Sequence, residues 1–318
     1  MPAKRTIGKA VLVFFLLLTA VCSKDAAAAA KLGIDLCLNS VIPSLFPFFV
    51  ISGLCTAFGL DGFCRFFSPL MTKLFHLRPA LATPLLLGFL GGYPVCAVTL
   101  SELLRTGQAS RPEAERLLSF GNNTGPAFAI SVCGVGIFGS VPAGAVLYGI
   151  HILSALMTGM VLCRAKPLLP FHGQTAERAA PPAAKAITGS IQNAVSSALS
   201  ITAFVTFFAV VLALLQKTGV LSLLSRCVGA LTPLSGPEAL AAVTGVLEMT
   251  NGLYLLSPAL PFAFPLCAAI LSFGGLSVFF QTAGVLPPVR LAPMLRGKAL
   301  HAALAFVLAV LCRPFLFA

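Results

Sequence analysis

The sequence predicts an all-α polytopic membrane protein built from two inverted repeats with discontinuous or re-entrant helices. Three observations carry that prediction. The chain is 58% hydrophobic and only 9% charged, where soluble domains average about 25% charged residues. Its apolar runs allow about six to eight segments of roughly 20 residues each. Four of those runs are broken by Gly, Pro and polar residues, two in each half: Gly88-Phe-Leu-Gly-Gly-Tyr-Pro-Val95, Ser119-Phe-Gly-Asn-Asn-Thr-Gly-Pro126, Gly245-Val-Leu-Glu-Met-Thr-Asn-Gly252 and Ser272-Phe-Gly-Gly-Leu-Ser-Val-Phe-Phe-Gln281.

In chain order, residues 1–38 read as an N-terminal anchor and an interfacial segment. Lys4, Arg5 and Lys9 precede an apolar run from Ala10 to Cys22. That pattern suits a signal peptide or an uncleaved first span, and the uncleaved anchor is expected for a polytopic chain. Lys24, Asp25, Lys31 and Asp35 among alanines suggest a short interfacial helix. The first repeat is expected over 39–163. It comprises a span at 40–60, an amphipathic connector at 61–78, broken segments at 79–104 and to about Phe138, and a clean span at 141–163. Residues 164–187, with Pro181-Pro182, read as a cytoplasmic linker. The second, inverted repeat is expected over 188–318. It holds a Phe-rich span at 189–216, a connector at 217–237, broken segments at 238–257 and 262–286, and a last span at 299–317.

The net charge of +12 does not point to nucleic acid, because no basic patch carries interleaved aromatics. The cations lie in short loops, where they set orientation. Let the N-terminus be cytoplasmic and let 79–104 and 238–257 be re-entrant. Lys4, Arg5, Lys9, Arg65, Lys73, Arg78, Arg105, Arg111, Arg116, Arg164, Lys166, Arg178, Lys185, Arg290, Arg296 and Lys298 then fall inside. Lys24, Lys31, Lys217, Arg226 and Arg313 fall outside. This asymmetry inverts the two halves relative to each other. The expected location is the cell membrane, with the lipid bilayer as the surrounding partner.

Breaks of this kind free backbone N–H and C=O groups at mid-membrane depth, where such backbone must be buried or line a cavity. Half-helix N-termini attract anions, and unwound carbonyls hold Na⁺ or polar groups. The candidate substrate-binding residues are Gly92, Tyr93, Asn122, Asn123, Thr124, Thr250, Asn251, Ser277 and Gln281, with the site centred between Asn122–Thr124 and Glu248–Asn251. The competing reading is interhelical hydrogen bonding that only fastens helices. Glu248 is the one acid far from a loop within an apolar run. It is a candidate for H⁺ or Na⁺ coupling, against a structural acid bonded to freed N–H groups. His151, alone in an apolar run, reads as a packing residue. Gly134-Val-Gly136 reads as small-residue helix packing. No catalytic grouping is visible, no cofactor is implied, and the scattered cysteines show no C-x-x-C pair.

Phe89-Leu-Gly-Gly-Tyr-Pro-Val, Leu118-Ser-Phe-Gly-Asn-Asn-Thr-Gly-Pro, Leu247-Glu-Met-Thr-Asn-Gly and Ser272-Phe-Gly-Gly-Leu-Ser-Val with Gln281 resemble the sporulation integral membrane protein YlbJ family. That family belongs to the nucleoside-recognition Gate group. The resemblance covers roughly residues 40–300, with Cys96 standing where a Gly is expected. It implies a repeat architecture like that of concentrative nucleoside transporters. It also implies transport of a small organic anion during endospore formation, with dipicolinate the leading candidate and the membrane around the developing spore a candidate location. The alternatives are a nucleoside or other small-solute transporter and a non-transporting scaffold, and a homo-oligomer is compatible with any of them. No Lys or Arg is expected in the core, so half-helix dipoles with Asn and Thr groups would hold an anion.

Overall fold

The computed structural model describes residues 2–58, 66–164 and 181–316. Every regular element among them is helical. Five stretches are long and apolar enough to cross a membrane: Ser23–Ile51, Val141–Cys163, Ala183–Lys217, Ala263–Val285 and Ala292–Pro314. Shorter apolar helices account for the rest of the expected spans, because the breaks divide them. The N-terminal helix α1 (Pro2–Val21) leads into α2 (Ser23–Leu36). A π-helical turn over Cys37–Val41 joins α2 to α3 (Ile42–Phe58), so the segment expected to be interfacial is part of one membrane-length stretch, Ser23–Ile51. Both α2 and α3 lie along α9 (Ala183–Lys217). Gly33 makes that approach close, since a Cβ there would meet the Thr206 Cα at 3.0 Å.

A short helix α4 (Ser68–Lys73) precedes the first broken segment. That segment is α5 (Ala82–Gly91) and α6 (Val95–Arg105), and it folds back on itself. A Cβ on Gly88 would lie 2.7 Å from the Cβ of Cys96, whereas eight residues of continuous helix span about 12 Å. Gly88 thus makes room for the side chain of Cys96. α7 (Arg111–Gly121) follows. The chain then breaks at 122–127 and resumes as a π-helical stretch over Phe128–Ile137. Gly134 in that stretch packs on Gly144 of α8 (Val141–Cys163), its added Cβ meeting the Gly144 Cα at 2.5 Å, which is the small-residue packing expected of it.

In the second half, α9 begins at Ala183, inside the stretch expected to be linker. Most of that linker, with Arg178 and Lys166, lies outside the described residues, as does Arg65. α10 (Val220–Leu231) forms the connector. The next broken segment is α11 (Gly236–Leu247) and α12 (Met249–Tyr254), again a hairpin in which Gly252 packs directly on Gly245. α13 (Ala263–Phe273) and α14 (Gly275–Val285) make one membrane-length stretch interrupted at Gly274. The last helix, α15, runs over Ala292–Leu316. It starts seven residues before the expected position 299, so Lys298 sits inside a helix and not in a loop. α15 packs on α13, α8 and α7.

The two re-entrant assignments, 79–104 and 238–257, therefore coincide with the two hairpins. Local chemistry explains where the helix after the first hairpin and the first leg of the second hairpin start. Ser110 and Glu113 form a capping box at the start of α7, and Ser235 and Glu238 form another at the start of α11, each with a Pro in the first turn.

Charged contacts sort the loops into two groups. Arg78 donates to Glu113 at 2.6 Å and to the Gln108 carbonyl at 2.7 Å. Arg116 donates to the His76 carbonyl, and Glu115 pairs with Arg290. All these cations belong to the group expected on one side. In the other group Lys217 pairs with Asp25 at 3.2 Å. No contact among these joins the two groups.

Candidate functional site

The four breaks meet. At the tip of the first hairpin, Gly92 has φ +74, and a Cβ there would lie 2.6 Å from the Gly125 nitrogen in the break after α7. At the tip of the second, Glu248 abuts the break between α13 and α14. A Cβ on Gly275 (φ +79) would lie 3.0 Å from both the Gly245 oxygen and the Met249 nitrogen. The two halves also touch each other, because the Tyr93 hydroxyl would be 2.7 Å from a Cβ on Gly274. Only glycine tolerates both the positive φ and these backbone approaches.

Freed backbone groups within the bilayer need partners, and the polar residues at the breaks provide them. Near the C-terminal end of α5, the Phe89 carbonyl accepts from the Tyr148 hydroxyl at 2.7 Å. At the end of α7, the Phe120 carbonyl accepts from the Asn123 amide at 2.7 Å. At the end of α13, the Leu271 carbonyl accepts from Thr124 Oγ1 at 3.1 Å. Glu248 caps α12. Its Oε2 accepts from the Asn251 backbone N–H at 2.6 Å and from the Asn251 amide at 2.8 Å, and its Oε1 accepts from Ser277 Oγ at 3.3 Å.

Between the breaks runs a cleft lined by Gly92, Tyr93, Thr124, Glu248, Thr250, Ser277 and Gln281, with apolar walls from Val41, Leu45, Phe128, Phe204 and Met249. Seven of the predicted site residues therefore face one space. Three do not line it. Asn122 is buried and donates its amide to Thr282 Oγ1 at 2.8 Å, leaving its Oδ1 without a partner. Asn123 caps α7, and Asn251 serves Glu248.

The expectation of a core free of Lys and Arg is overturned. Lys298 is 1% exposed. Its Nζ donates to Tyr93 Oη at 2.8 Å and to Asn123 Oδ1 at 3.3 Å, and it lies 5.0 Å from the Tyr93 ring centre. His151, expected to pack, is buried and hydrogen-bonded on both ring nitrogens. Its Nε2 accepts from the Thr124 N–H at 3.1 Å, which leaves Nδ1 to donate to Ser272 Oγ at 2.9 Å. The His301 ring lies 4.7 Å away, with its Nε2 donating to the His151 carbonyl. The same accounting leaves His301 Nδ1 as a buried acceptor without a partner. A signal for these residues existed: Lys298 and His301 are three apart and share a helix face. Arg296-Gly297-Lys298 reads as a loop by composition, but Ala292-Pro293 is a fitting helix start.

The chain is 31% identical over 331 aligned positions to the sporulation integral membrane protein YlbJ of Bacillus subtilis (strain 168), covering 94% of this chain and 81% of that relative. It belongs to the YlbJ family. No family model matches the chain, and no solved structure does. The YlbJ-family assignment and the five membrane-length helices agree that this is a membrane protein. In this YlbJ-family chain the four breaks surround one cleft that combines apolar walls with a few polar groups.

Proposed function

We propose that this protein is a secondary transporter that moves a small organic anion, with dipicolinate the leading candidate, across a membrane during endospore formation. The observation that carries the reading is the convergence of four interrupted helices on one polar cleft. Discontinuous helices meeting at mid-membrane are how secondary transporters build substrate sites. A protein that only needed stable helices would avoid the backbone disruption. The sporulation setting follows from the relative's name. The alternation of hairpin and interrupted helix in both halves supports two inverted repeats of the Gate type, working against each other around the cleft.

In this reading the solute lies between Tyr93 and Thr124 on one side and Thr250, Ser277 and Gln281 on the other. Glu248 exchanges a proton or holds Na⁺ as the halves move. It is already committed as a helix cap, so loading it would loosen α12 and the second hairpin together. That links ion occupancy to the mobility of a gate.

The test is uptake of labelled dipicolinate, with a labelled nucleoside alongside, by cells that make this protein and lack similar transporters. Dipicolinate uptake that Glu248→Gln abolishes at equal protein level supports the reading. Nucleoside uptake alone would move the substrate to a neutral solute. No uptake of either, with the protein inserted, would sink transport of these solutes.

A further inference from the structure

Resting on that reading, we infer that Lys298, acting through the Tyr93 hydroxyl, is the charge that makes the cleft select anions over neutral solutes. Lys298 is a positioning residue in this scheme, and Tyr93 is the group that touches the solute.

Four observations on the molecule lead there. Lys298 is buried within the bundle and does not reach toward an interface as snorkelling lysines do. Among the described residues no carboxylate pairs with it. Among the described residues its hydrogen-bonding neighbours are two neutral oxygens, Tyr93 Oη and Asn123 Oδ1, for three ammonium N–H bonds. Finally, Tyr93 lines the cleft and its hydroxyl stands at Gly274, in the break between α13 and α14.

An uncompensated ammonium in a membrane interior is expensive and marks function by default. If its task were only to tie α15 to the first hairpin, a well-packed apolar side chain would do so at lower cost. An anion entering the cleft would supply the missing negative charge. The Lys298 ammonium donating to Tyr93 Oη also polarises that hydroxyl, making its O–H a better donor toward the cleft. Glu248 lines the same cleft, its carboxyl group bonded to Asn251 and Ser277. Without Lys298 an anion would meet no cation among the described residues that line or back the cleft. A neutral solute gains only the stronger hydrogen bond, without compensation of the buried charge.

Purified full-length protein would be tested for equilibrium binding of dipicolinate and of its neutral diamide. The readout is the ratio of the two affinities. The wild type is expected to favour dipicolinate by about tenfold or more, the worth of one charge-assisted interaction. Lys298→Met should bring the ratio near unity by weakening dipicolinate far more than the diamide. General damage to the fold would weaken both ligands alike and leave the ratio unchanged. Should Lys298→Met fail to fold, Tyr93→Phe removes the relay and keeps the ring, and the ratio should again fall. If the wild type favours dipicolinate and a folded variant preserves the ratio, the role of Lys298 is overturned and the transporter reading stands. If the wild type binds the diamide as tightly, or binds neither, the inference falls together with the anion reading.

Discussion

A single methyl group separates two kinds of glycine in this chain. Gly92 and Gly107 both have positive φ, +74 and +70. A Cβ on Gly107 would meet nothing within 4 Å, whereas one on Gly92 would strike the Gly125 backbone. Gly107→Ala should therefore cost only the left-handed strain, about 1 kcal/mol. Gly92→Ala adds a backbone clash that neither tip can relieve, so it should cost clearly more and abolish uptake. Thermal unfolding of the two variants in detergent checks the difference, and equal melting temperatures would refute it. Glu248 offers a second contrast. Glu248→Gln keeps one acceptor for the Asn251 N–H, while Glu248→Ala removes the cap. The alanine variant should lose about 1 kcal/mol more stability than the glutamine variant. At this scale the sequence marked the polar residues at the breaks but not their division of labour. Whether Asn123 faces a solute or the Phe120 carbonyl depends on the local twist of the chain, which composition does not encode.

Among the elements, the capping boxes set where α7 and α11 begin. Ser235→Ala removes one capping bond and should cost about 1 kcal/mol. Glu238→Ala should cost more. Besides bonding Ser235, the Glu238 carboxylate accepts from the Phe262 N–H at 2.6 Å, and so ties the start of α11 to the start of α13. Hydrogen exchange at Phe262 would report the loss directly. The loop end of α7 should respond to pH. Burial works against the Glu113 carboxylate, but Arg78 and Ser110 outweigh it and hold its pKa below the ordinary range. Glu115, opposed by burial in the same way, is held low by Arg290. Groups with depressed folded-state pKa stabilise fully above their unfolded value, near 4.3. That contribution is lost as pH falls through the folded values. Amide exchange over 110–115 should rise below about pH 4, and Glu113→Gln should flatten that rise. The helices themselves were legible as apolar runs. Their starts at Ala183 and Ala292 were not, because polar first turns of long helices look like loops until something packs on them.

Across the whole molecule, the sorting of charged contacts makes a prediction about sidedness. Lys217 pairs with Asp25 in one group, and Arg290 pairs with Glu115 in the other. With the exposed Cys227 replaced, cysteines introduced at Lys217 and Arg290 should react with an impermeant thiol reagent from opposite sides of the membrane. Labelling of both from the same side would contradict the arrangement. The bundle is held at its centre by contacts between halves: Thr124 with Leu271, Lys298 with Tyr93, and His151 with Ser272. These are the joints that a rocking motion would have to break and remake.

That the chain is a helical membrane protein, and where its spans are interrupted, is legible in the sequence alone. Apolar length, Gly and Pro punctuation and loop charge are local properties, so a linear reading reaches them. Only the tertiary structure decided that the four breaks share one cleft, that Asn122, Asn123 and Asn251 turn away from it, and that Lys298 and two histidines stand behind it. Those outcomes depend on how helices distant in the chain approach one another. A lysine seven residues into a helix is a loop charge or a buried one according to what packs over it.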